Sequence, residues 1–509
     1  MIARARWIAT LTLAAITVTA AAQTVKTAQG EAKGKLINNG QVRAFLGLPY
    51  AAPPIGPLRF KAPEPPANWT GVRDATQFGA RCEQWHIWND YIFLDAGPSE
   101  DCLFLNVYVP ATAKSTAQLP VMFWIHGGGY AAGASSEPRY TNSVLPTMGV
   151  ILVTINYRLN VFGFLASDDL AKENGGSAGN YGLMDMVAAL KWVHGNIAHF
   201  GGDPNNVTIF GESAGSFAVS TLLAAPSARG LFAKAMGESG AAFSDLLSAP
   251  LATRAPRDQK WTEALGVHNL AELRALPASA ILEAAQFKGG LFAPVVDGKF
   301  VTEDVQKTYA EGKQAHVPLL AGWNRDERAA TLSKDMTVDK WKVFAQIHYG
   351  AHAKDFLAAF PAITDEQAVR AADDYTTNQF IAFGTWKWVE AQATAGVPVY
   401  RYHFELPAPP SEMHPEGKYA WHSDELEYVF GTLDTRHGAT WRPEDRKLSD
   451  QIAHYWTNFA RTGNPNGKGL PQWPRYDTEK KILHLDSAIT SGTDPLRPEF
   501  EFLEATPAH

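Results

Sequence analysis

The chain has 509 residues, of which 46% are hydrophobic and 19% charged, and its formal net charge is −7 at pH 7. Its lysines and arginines are scattered through an acidic chain, which excludes the clustered basic surface of a nucleic-acid-binding protein. The length exceeds that of a simple compact domain. Because no internal repeat, low-complexity tract or flexible linker divides the chain, we expect one large domain with insertions.

Residues 1–22 have the pattern of a secretory signal peptide. Two arginines precede an apolar run over residues 7–18, and three alanines ending at Ala22 offer a cleavage site. The run is shorter than the about 20 residues that span a bilayer, and no later segment is apolar enough, so we expect no membrane span. The prediction is an exported mature chain, periplasmic or extracellular, with residues 23–509 as a single domain.

The chain has two cysteines, Cys82 and Cys102. An exported protein meets an oxidising compartment, which favours pairing them. A redox pair or a metal site would call for a C-x-x-C motif or a nearby Cys/His cluster, and the sequence has neither. We therefore predict a structural disulfide, which would add ~3 kcal/mol of stability by closing a loop of about 20 residues.

Apolar, β-rich runs alternate with helical patterns, which predicts an α/β fold with a largely parallel central sheet flanked by helices. The predicted strands are residues 121–125, 150–157, 207–210, 317–322 and 397–404, and the predicted helices are 182–193, 216–223 and 448–461. Two Ala-rich, charged regions, 250–290 and 328–395, indicate helical cap insertions. Such insertions would cover the carboxyl edge of the sheet, where α/β proteins place their sites.

A glycine-rich segment, HGGGY at 126–130, follows the predicted strand 121–125. Lipases and esterases have their oxyanion motif in this position, although a flexible glycine turn would have the same composition. We expect the N–H groups of Gly128 and Gly129 to donate to a reacting carbonyl oxygen, with that of Ala214 as a third donor. His126 is expected to hold this loop rather than to carry protons.

The GESAG segment at 211–215 lies between a short strand and a small-residue helix, which is the context of a nucleophile elbow. Glycines at both ends let the chain turn without Cβ clashes and would expose the Ser213 hydroxyl. A serine that serves only the turn also fits the glycines but does not need the flanking strand and helix. The order favours Ser213 as a nucleophile, which needs a base for its proton and donors for the oxyanion.

Several longer segments accompany these motifs in a fixed order: FLGLPYAAPPIGPLRF at 45–60, EDCLFLNVYVP at 100–110, NYRLNVFGFL at 156–165, FGGDPNNVTIFGESAG at 200–215, PVVDG at 294–298 and HSDELEYVF at 422–430. The series resembles the type-B carboxylesterases, the cholinesterase-like group of α/β-hydrolases. The resemblance implies an α/β-hydrolase fold and a serine esterase that acts on small-molecule esters. It implies neither a metal nor an organic cofactor, and no ligand cluster in the sequence suggests one.

The resemblance also assigns the remaining catalytic residues. The acid of the family lies in a G-x-N-x-D-E-G segment after a strand, and residues 322–328 read GWNRDER, so Glu327 matches the acid and Asp326 is its rival. Arg328 replaces the usual glycine, which would alter the turn or place a cation near the acid and lower its pKa. His422, ahead of the E-L-x-Y-V-F segment, matches the base that accepts the proton of Ser213.

Three further residues match supporting positions of the family. Glu212 would tune the electrostatics of the site or form a hydrogen bond within the elbow. Ser239 would form a hydrogen bond with the acid, and Glu425 would lie near the histidine.

Other functions stay open at the level of sequence. A non-catalytic cholinesterase-like binding protein usually lacks part of the triad, whereas the triad does not distinguish esters from thioesters, lipids or peptides. Trp88 lies in a segment that faintly resembles the choline-binding tryptophan of cholinesterases, but its spacing to Cys102 is longer than in that family, so cholinesterase activity is not expected. Four other tryptophans would line an aromatic pocket or pack in the core: Trp323, Trp386, Trp388 and Trp421.

Overall fold

A computed structural model describes residues 24–243, 249–286, 292–412 and 414–506. The predicted signal peptide, residues 1–22, lies outside the described residues. In the described ranges, no helix has both the length and the apolar character needed to cross a bilayer.

The strands, in chain order, are β1 (Thr24–Lys26), β2 (Glu31–Lys33), β3 (Lys35–Ile37), β4 (Val42–Pro49), β5 (Val72–Asp74), β6 (Arg81–Cys82), β7 (Pro98–Ser99), β8 (Phe104–Pro110), β9 (Leu119–Ile125), β10 (Ile151–Ile155), β11 (Gly202–Glu212), β12 (Lys234–Glu238), β13 (Leu319–Asn324), β14 (Val399–Phe404), β15 (Lys481–Leu485) and β16 (Thr490–Thr493).

The helices are α1 (Pro138–Thr141), α2 (Asn160–Phe164), α3 (Asp168–Glu173), α4 (Tyr181–Asn196), α5 (Ala214–Ala224), α6 (Leu251–Glu263), α7 (Leu270–Ala275), α8 (Ala278–Ala284), α9 (Val305–Ala310), α10 (Val338–Tyr349), α11 (Ala353–Ala359), α12 (Asp365–Thr377), α13 (Phe383–Thr394), α14 (Leu426–Phe430), α15 (Pro443–Thr462), α16 (Tyr476–Glu479) and α17 (Arg497–Ala505).

Within the described ranges, the central sheet has eleven strands in the order β16-β15-β14-β13-β12-β11-β9-β10-β8-β4-β3. From β15 to β10 every neighbouring pair is parallel, and the pairs at both edges are antiparallel. The predicted largely parallel sheet is therefore confirmed for its centre. The antiparallel edges and the smaller sheet β1-β2-β5 were not predicted, and the strands β1, β2 and β16 are short and mix polar and apolar residues.

Both faces of the sheet are buried, which the alternation along β9 illustrates. Val121, Phe123 and Ile125 belong to the apolar cluster that includes the inward faces of α4 and α5. Met122 and Trp124 point to the opposite face and pack with α15. Because successive side chains of a strand point to opposite faces, a strand covered by helices on both sides is apolar throughout.

The regions 250–290 and 328–395 are helical, as predicted, where the structure describes them: they contain α6 to α8 and α10 to α13. Between α12 and α13 the chain forms a π-helical turn at Asn378–Ala382. Such turns insert an extra residue into a helix and often occur at functional sites. Here the turn carries Phe380 and Ile381 to a cavity at the carboxyl edge of the sheet.

The structure joins Cys82 and Cys102 in a disulfide, with a Cα–Cα distance of 4.9 Å. The bond closes a loop with a sequence separation of 20 residues. Trp88 and Tyr91 of this loop line the same cavity as Phe380, so the disulfide anchors part of its wall.

Candidate active site

Ser213 occupies a sharp turn between β11 and α5. Its backbone has φ 51° and ψ −122°, a conformation that is strained for a non-glycine residue. The turn is held on both sides: the Ser213 N–H donates to the Glu238 carbonyl oxygen at 2.9 Å, and the Ser213 carbonyl oxygen accepts from the Phe217 N–H at 2.9 Å. The strain is thus supported by backbone hydrogen bonds to β12 and α5.

The glycines of the elbow are required by close backbone approach. A Cβ at Gly215 would lie 2.0 Å from the Ile125 carbonyl oxygen, and one at Gly211 would lie 2.6 Å from the same atom. Since both contacts are with backbone, no side-chain rotation relieves them. The first turn of α5 therefore packs directly against the end of β9.

Ser213, His422 and Glu327 form one hydrogen-bonded chain. The Ser213 Oγ lies 2.9 Å from His422 Nε2, and His422 Nδ1 lies 2.5 Å from Glu327 Oε2. The other carboxylate oxygen of Glu327 accepts from the backbone N–H of Asn324 at 2.7 Å. With the proton of the neutral imidazole on Nδ1, facing the carboxylate, Nε2 is free to accept the proton of the serine.

Asp326, the rival acid, points away from the histidine. Its carboxylate accepts from Arg370 Nη1 at 2.5 Å, from Arg325 Nε at 2.9 Å and from the Ala420 N–H at 2.9 Å. Although burial raises the pKa of Asp326, the charges of Arg370 and Arg325 lower it below its ordinary value. Asp326 thus stabilises the loop, and the distances favour Glu327 as the partner of His422.

Glu212 lies on the serine side of the histidine. Its Oε1 is 3.3 Å from His422 Nε2 and accepts from the Ser423 hydroxyl at 2.6 Å. Burial lowers the pKa of His422, but the charges of Glu212 and Glu327 and the hydrogen bond with Glu327 raise it to about 9. The two carboxylates therefore stabilise an imidazolium at this position.

Ser239 and Glu425 form a second network beneath the first. The Ser239 hydroxyl donates to Glu425 Oε1 at 3.4 Å, and Asn324 Nδ2 donates to Glu425 Oε2 at 2.5 Å. Ser239 therefore contacts Glu425, whereas the sequence predicted a hydrogen bond with the acid, Glu327. Burial, followed by the neighbouring carboxylates, raises the pKa of Glu425 well above its ordinary value.

Asn324 links the two networks and was missed at the sequence level. Its backbone N–H bonds Glu327, and its side chain bonds Glu425 and the Trp421 carbonyl oxygen, the last at 2.7 Å. The signal was present, because Asn324 is the asparagine of the GWNRDER segment.

Gly128 and Gly129 lie in the loop that follows β9, and their φ values are 100° and 61°. A Cβ at Gly128 would lie 2.0 Å from the Ala132 carbonyl oxygen, so only glycine fits there. Both glycines and Ala214 line the cavity that contains Ser213. The three residues predicted as oxyanion donors therefore lie in the same cavity wall as Ser213.

His126 is buried beneath this turn. Its ring stacks on Tyr157 with centroids 4.4 Å apart, and its carbonyl oxygen accepts from the Tyr157 hydroxyl at 2.8 Å. Burial lowers the pKa of His126 to about 4, so the ring is neutral near pH 7. These contacts agree with the expected role in holding the loop.

The cavity has a volume of about 450 Å³, and its wall combines aromatic rings with charged and small residues. Its aromatic lining residues are Trp88, Tyr91, Tyr130, Phe217, Phe380, His414 and Trp421. The ring of Phe380 meets that of His422 edge-on, with centroids 5.2 Å apart. By contrast, Trp323, Trp386 and Trp388 are buried in the core, so the predicted aromatic pocket includes only Trp421 of the four tryptophans considered for it.

Arg328 also lines the cavity, and its side chain is exposed. Its guanidinium lies over the ring of Phe380, 4.3 Å from the ring centroid. The residue does not adopt a left-handed backbone, which in this loop occurs at Ala330 with φ 58°. The replacement of the usual glycine therefore strains no turn at residue 328.

His403, Glu405 and His484 form a separate cluster on β14 and β15. Both Nδ1 atoms lie close to Glu405 Oε1, at 2.7 Å for His403 and 2.6 Å for His484. Across the described ranges, this is the one group of at least three His, Cys, Asp or Glu side chains with the geometry to hold a metal ion. The cluster was not predicted because His484 is distant in the chain from His403 and Glu405, and none of the three lines the cavity at Ser213.

Comparison with known proteins identifies the family of the chain. A profile of the carboxylesterase family matches residues 21–502. The para-nitrobenzyl esterase of Bacillus subtilis (strain 168) is 39% identical over 500 residues, which cover 93% of this chain and 96% of that protein. The cocaine esterase of Homo sapiens is 36% identical over 496 residues, covering 90% and 86%.

Solved structures give the same result. The crystal structure of the Geobacillus stearothermophilus carboxylesterase superposes with a TM-score of 0.80 at 34% identity, covering 94% of this chain and 99% of that one. The fold is thus the α/β-hydrolase fold, as the resemblance implied. The chain belongs to the carboxylesterase family and is a serine hydrolase of carboxylic esters.

Proposed function

We propose that the chain hydrolyses carboxylic esters through an acyl-enzyme on Ser213, with His422 as general base and acid and Glu327 as its orienting carboxylate. The observation that carries the proposal is the hydrogen-bonded chain of these three side chains, at 2.9 and 2.5 Å. It opens onto a cavity whose wall includes Gly128, Gly129 and Ala214.

In the first step, the Ser213 oxygen attacks the ester carbonyl carbon while its proton moves to His422 Nε2. The carbonyl oxygen becomes an oxyanion that accepts from the N–H groups of Gly128, Gly129 and Ala214. The tetrahedral intermediate then collapses: the bond to the alcohol oxygen breaks, and that oxygen takes the proton from Nε2. The alcohol leaves and the acyl group stays on Ser213.

In the second step, water attacks the acyl-enzyme and gives a proton to His422 Nε2. The second tetrahedral intermediate breaks the bond to the Ser213 oxygen, which recovers its proton from the imidazolium. The carboxylic acid is released. Glu327 stabilises the imidazolium in both steps, and no cofactor takes part.

The alternatives make different predictions. A non-catalytic binding protein has no need of a continuous hydrogen-bonded triad beside paired glycines with positive φ. Thioester hydrolysis uses the same groups, so kcat/KM for an ester and for its matched thioester separates the two activities.

The test is hydrolysis of a chromogenic short-chain ester by the purified mature chain and by Ser213→Ala. Loss of the nucleophile should lower kcat by about 10⁶-fold, because the triad acts as a unit. Ser227→Ala, a change at an exposed serine distant from the cavity, is the matched control. A wild-type chain as inactive as Ser213→Ala would contradict the proposal.

We also propose that the mature chain, residues 23–509, is exported as a single domain. The Cys82–Cys102 disulfide is compatible with an oxidising compartment. Strands from Lys35–Ile37 to Thr490–Thr493 join one sheet, which supports a single folding unit. Mass spectrometry of the secreted protein should find that the mature chain begins at Gln23, directly after Ala22.

A further inference from the structure

We infer that Arg328 forms an anion-binding subsite in the wall of the catalytic cavity, which selects esters that carry a carboxylate. The inference rests on the proposed ester hydrolysis and adds to it the charge class of the substrate. Three observations support it: Arg328 lies in the cavity wall, the other charged groups of that wall already have partners, and the guanidinium contacts the ring of Phe380.

The backbone that carries Arg328 is fixed by its two predecessors, whose side chains diverge. Asp326 points into the protein and bonds Arg325, Arg370 and the Ala420 N–H. Glu327 points to His422. Arg328 is left on the cavity side, in the same wall as Ser213. The side chain of Arg328 is exposed.

The other charged groups of the cavity wall already have partners. Asp90 pairs with Arg139 at 3.6 Å. Glu212 accepts from Ser423 and lies 3.3 Å from His422, and Glu327 accepts from His422 and Asn324. Arg328, in contrast, has neither a hydrogen bond nor an ion pair with any residue that the structure describes.

Phe380 holds the guanidinium from one side. The ring centroid lies 4.3 Å from the guanidinium carbon, a cation–π contact that adds no hydrogen bond to the guanidinium N–H groups. A guanidinium presents its donors in a planar fork that matches a carboxylate in a two-point contact. An anionic group of the substrate would complete the site.

A solvated surface arginine is the ordinary explanation for an exposed cation. The surroundings of Arg328 argue against it, because the residue lies in the wall of a concave cavity and contacts Phe380, and charge–charge interactions are stronger in such a cavity than in open water. Arg328 is also close to the reacting groups: burial lowers the pKa of His422, Glu212 and Glu327 raise it, and the charge of Arg328 lowers it. Because Arg328 and Ser213 line the same cavity, an ester whose anionic group binds Arg328 can present its carbonyl carbon to Ser213.

The experiment compares charged and neutral esters that are otherwise matched. On the acyl side, the 4-nitrophenyl monoester of glutaric acid is compared with 4-nitrophenyl pentanoate. On the alcohol side, 4-carboxyphenyl acetate is compared with 4-methylphenyl acetate. The measured quantity is the ratio of kcat/KM for the charged ester to that for its neutral partner, in the wild type, Arg328→Gln and Arg328→Lys.

We expect Arg328→Gln to lower this ratio by about tenfold for at least one pair, the range of a partly desolvated hydrogen bond to a charged group. Arg328→Lys should retain part of the preference, because it keeps the charge and loses the fork. In the wild type, the ratio should fall as salt rises from about 0.05 to about 1 M. The pair that responds identifies which end of the substrate faces Arg328.

Arg446→Gln is the matched control, since Arg446 is exposed, pairs with Asp434 and lies outside the cavity wall. Its ratios should stay within about twofold of the wild type. Ratios equally unchanged in Arg328→Gln, for both pairs, would overturn the anion subsite. Failure of the wild type to hydrolyse any of the four esters would instead contradict the proposed function.

Discussion

At the scale of single residues, the charge state of His422 depends on the carboxylates around its ring. Glu327 bonds one nitrogen, and Glu212 lies 3.3 Å from the other. Against the effect of burial, they raise the pKa of the imidazole to about 9. The same carboxylates that stabilise the imidazolium during catalysis also favour the protonated form of His422 in the free enzyme at neutral pH.

This balance predicts an alkaline pH profile. Only neutral His422 accepts the Ser213 proton, so kcat/KM should rise with pH and level off above about pH 9. The rising limb of a plot of kcat/KM against pH reports the pKa of the essential base in the free enzyme. Glu212→Gln removes a charge that raises this pKa and should move the limb to lower pH. The measurement is kcat/KM for a neutral ester from pH 6 to pH 10.

Glu416→Gln, at an exposed glutamate outside the cavity wall, is the control and should leave the limb in place. A Glu212→Gln limb that coincides with that of the wild type would show that Glu212 does not set the charge of His422.

The neighbouring carboxylates Glu327 and Asp326 are predicted to have separate effects. Glu327→Gln keeps the shape but removes the charge that orients the imidazole, and kcat should fall by about 10³- to 10⁴-fold. Asp326→Asn weakens the contacts with Arg325 and Arg370 and should lower the free energy of unfolding by about 1–3 kcal/mol, with a much smaller loss of kcat. Thermal unfolding and ester kinetics on both variants check the assignment. The reverse pattern would make Asp326 the acid.

At the scale of elements, the elbow and the π-helical turn bring the reacting groups together. The elbow depends on the contact of α5 with the end of β9, where a Cβ at Gly215 would lie 2.0 Å from the Ile125 carbonyl oxygen. The π-helical turn at Asn378–Ala382 carries Phe380. The ring of Phe380 contacts the imidazole of His422 and the guanidinium of Arg328. The sequence indicated the elbow through its glycines, but it contained no pattern from which the π turn could be read.

Gly215→Ala is predicted to damage both stability and activity, because a backbone atom blocks the added methyl group. We expect a clear fall in Tm and a large loss of kcat in the folded fraction. Gly195→Ala is the matched control: Gly195 lies in α4 with open space around it, so alanine should be neutral or add up to about 1 kcal/mol. A Gly215→Ala chain with the Tm and kcat of the wild type would contradict the account of the elbow.

At the scale of the whole molecule, the parallel sheet collects the site at one edge. The oxyanion glycines follow β9, Ser213 follows β11, Ser239 follows β12 and Glu327 follows β13. Because these strands are parallel, their carboxyl ends meet at the same edge. For this reason strand patterns and turn glycines were enough to predict β9, β10, β11, β13, β14 and the position of Ser213, whereas β12 and β15 of the parallel part were not predicted.

Other features depended on more than local pattern. His422 comes from a long loop after β14 and was identified through family resemblance, since fifteen histidines offer no local signal. The predicted hydrogen bond of Ser239 with Glu327 was wrong. Two buried carboxylates, Glu327 and Glu425, lie near each other, and the sequence does not indicate which of them the Ser239 hydroxyl contacts. The cluster of His403, Glu405 and His484 depends on the register of β14 with β15, which is known only once the sheet is assembled.

In the proposed mechanism, His422 activates Ser213 as the nucleophile. The most direct measurement is peptide mass spectrometry after reaction with a fluorophosphonate, which modifies an activated serine irreversibly. The account predicts one adduct, on the peptide that contains Ser213, with parallel loss of ester hydrolysis, and little modification in His422→Gln. Complete inactivation with the adduct on another residue, or equal modification rates in the wild type and His422→Gln, would contradict it.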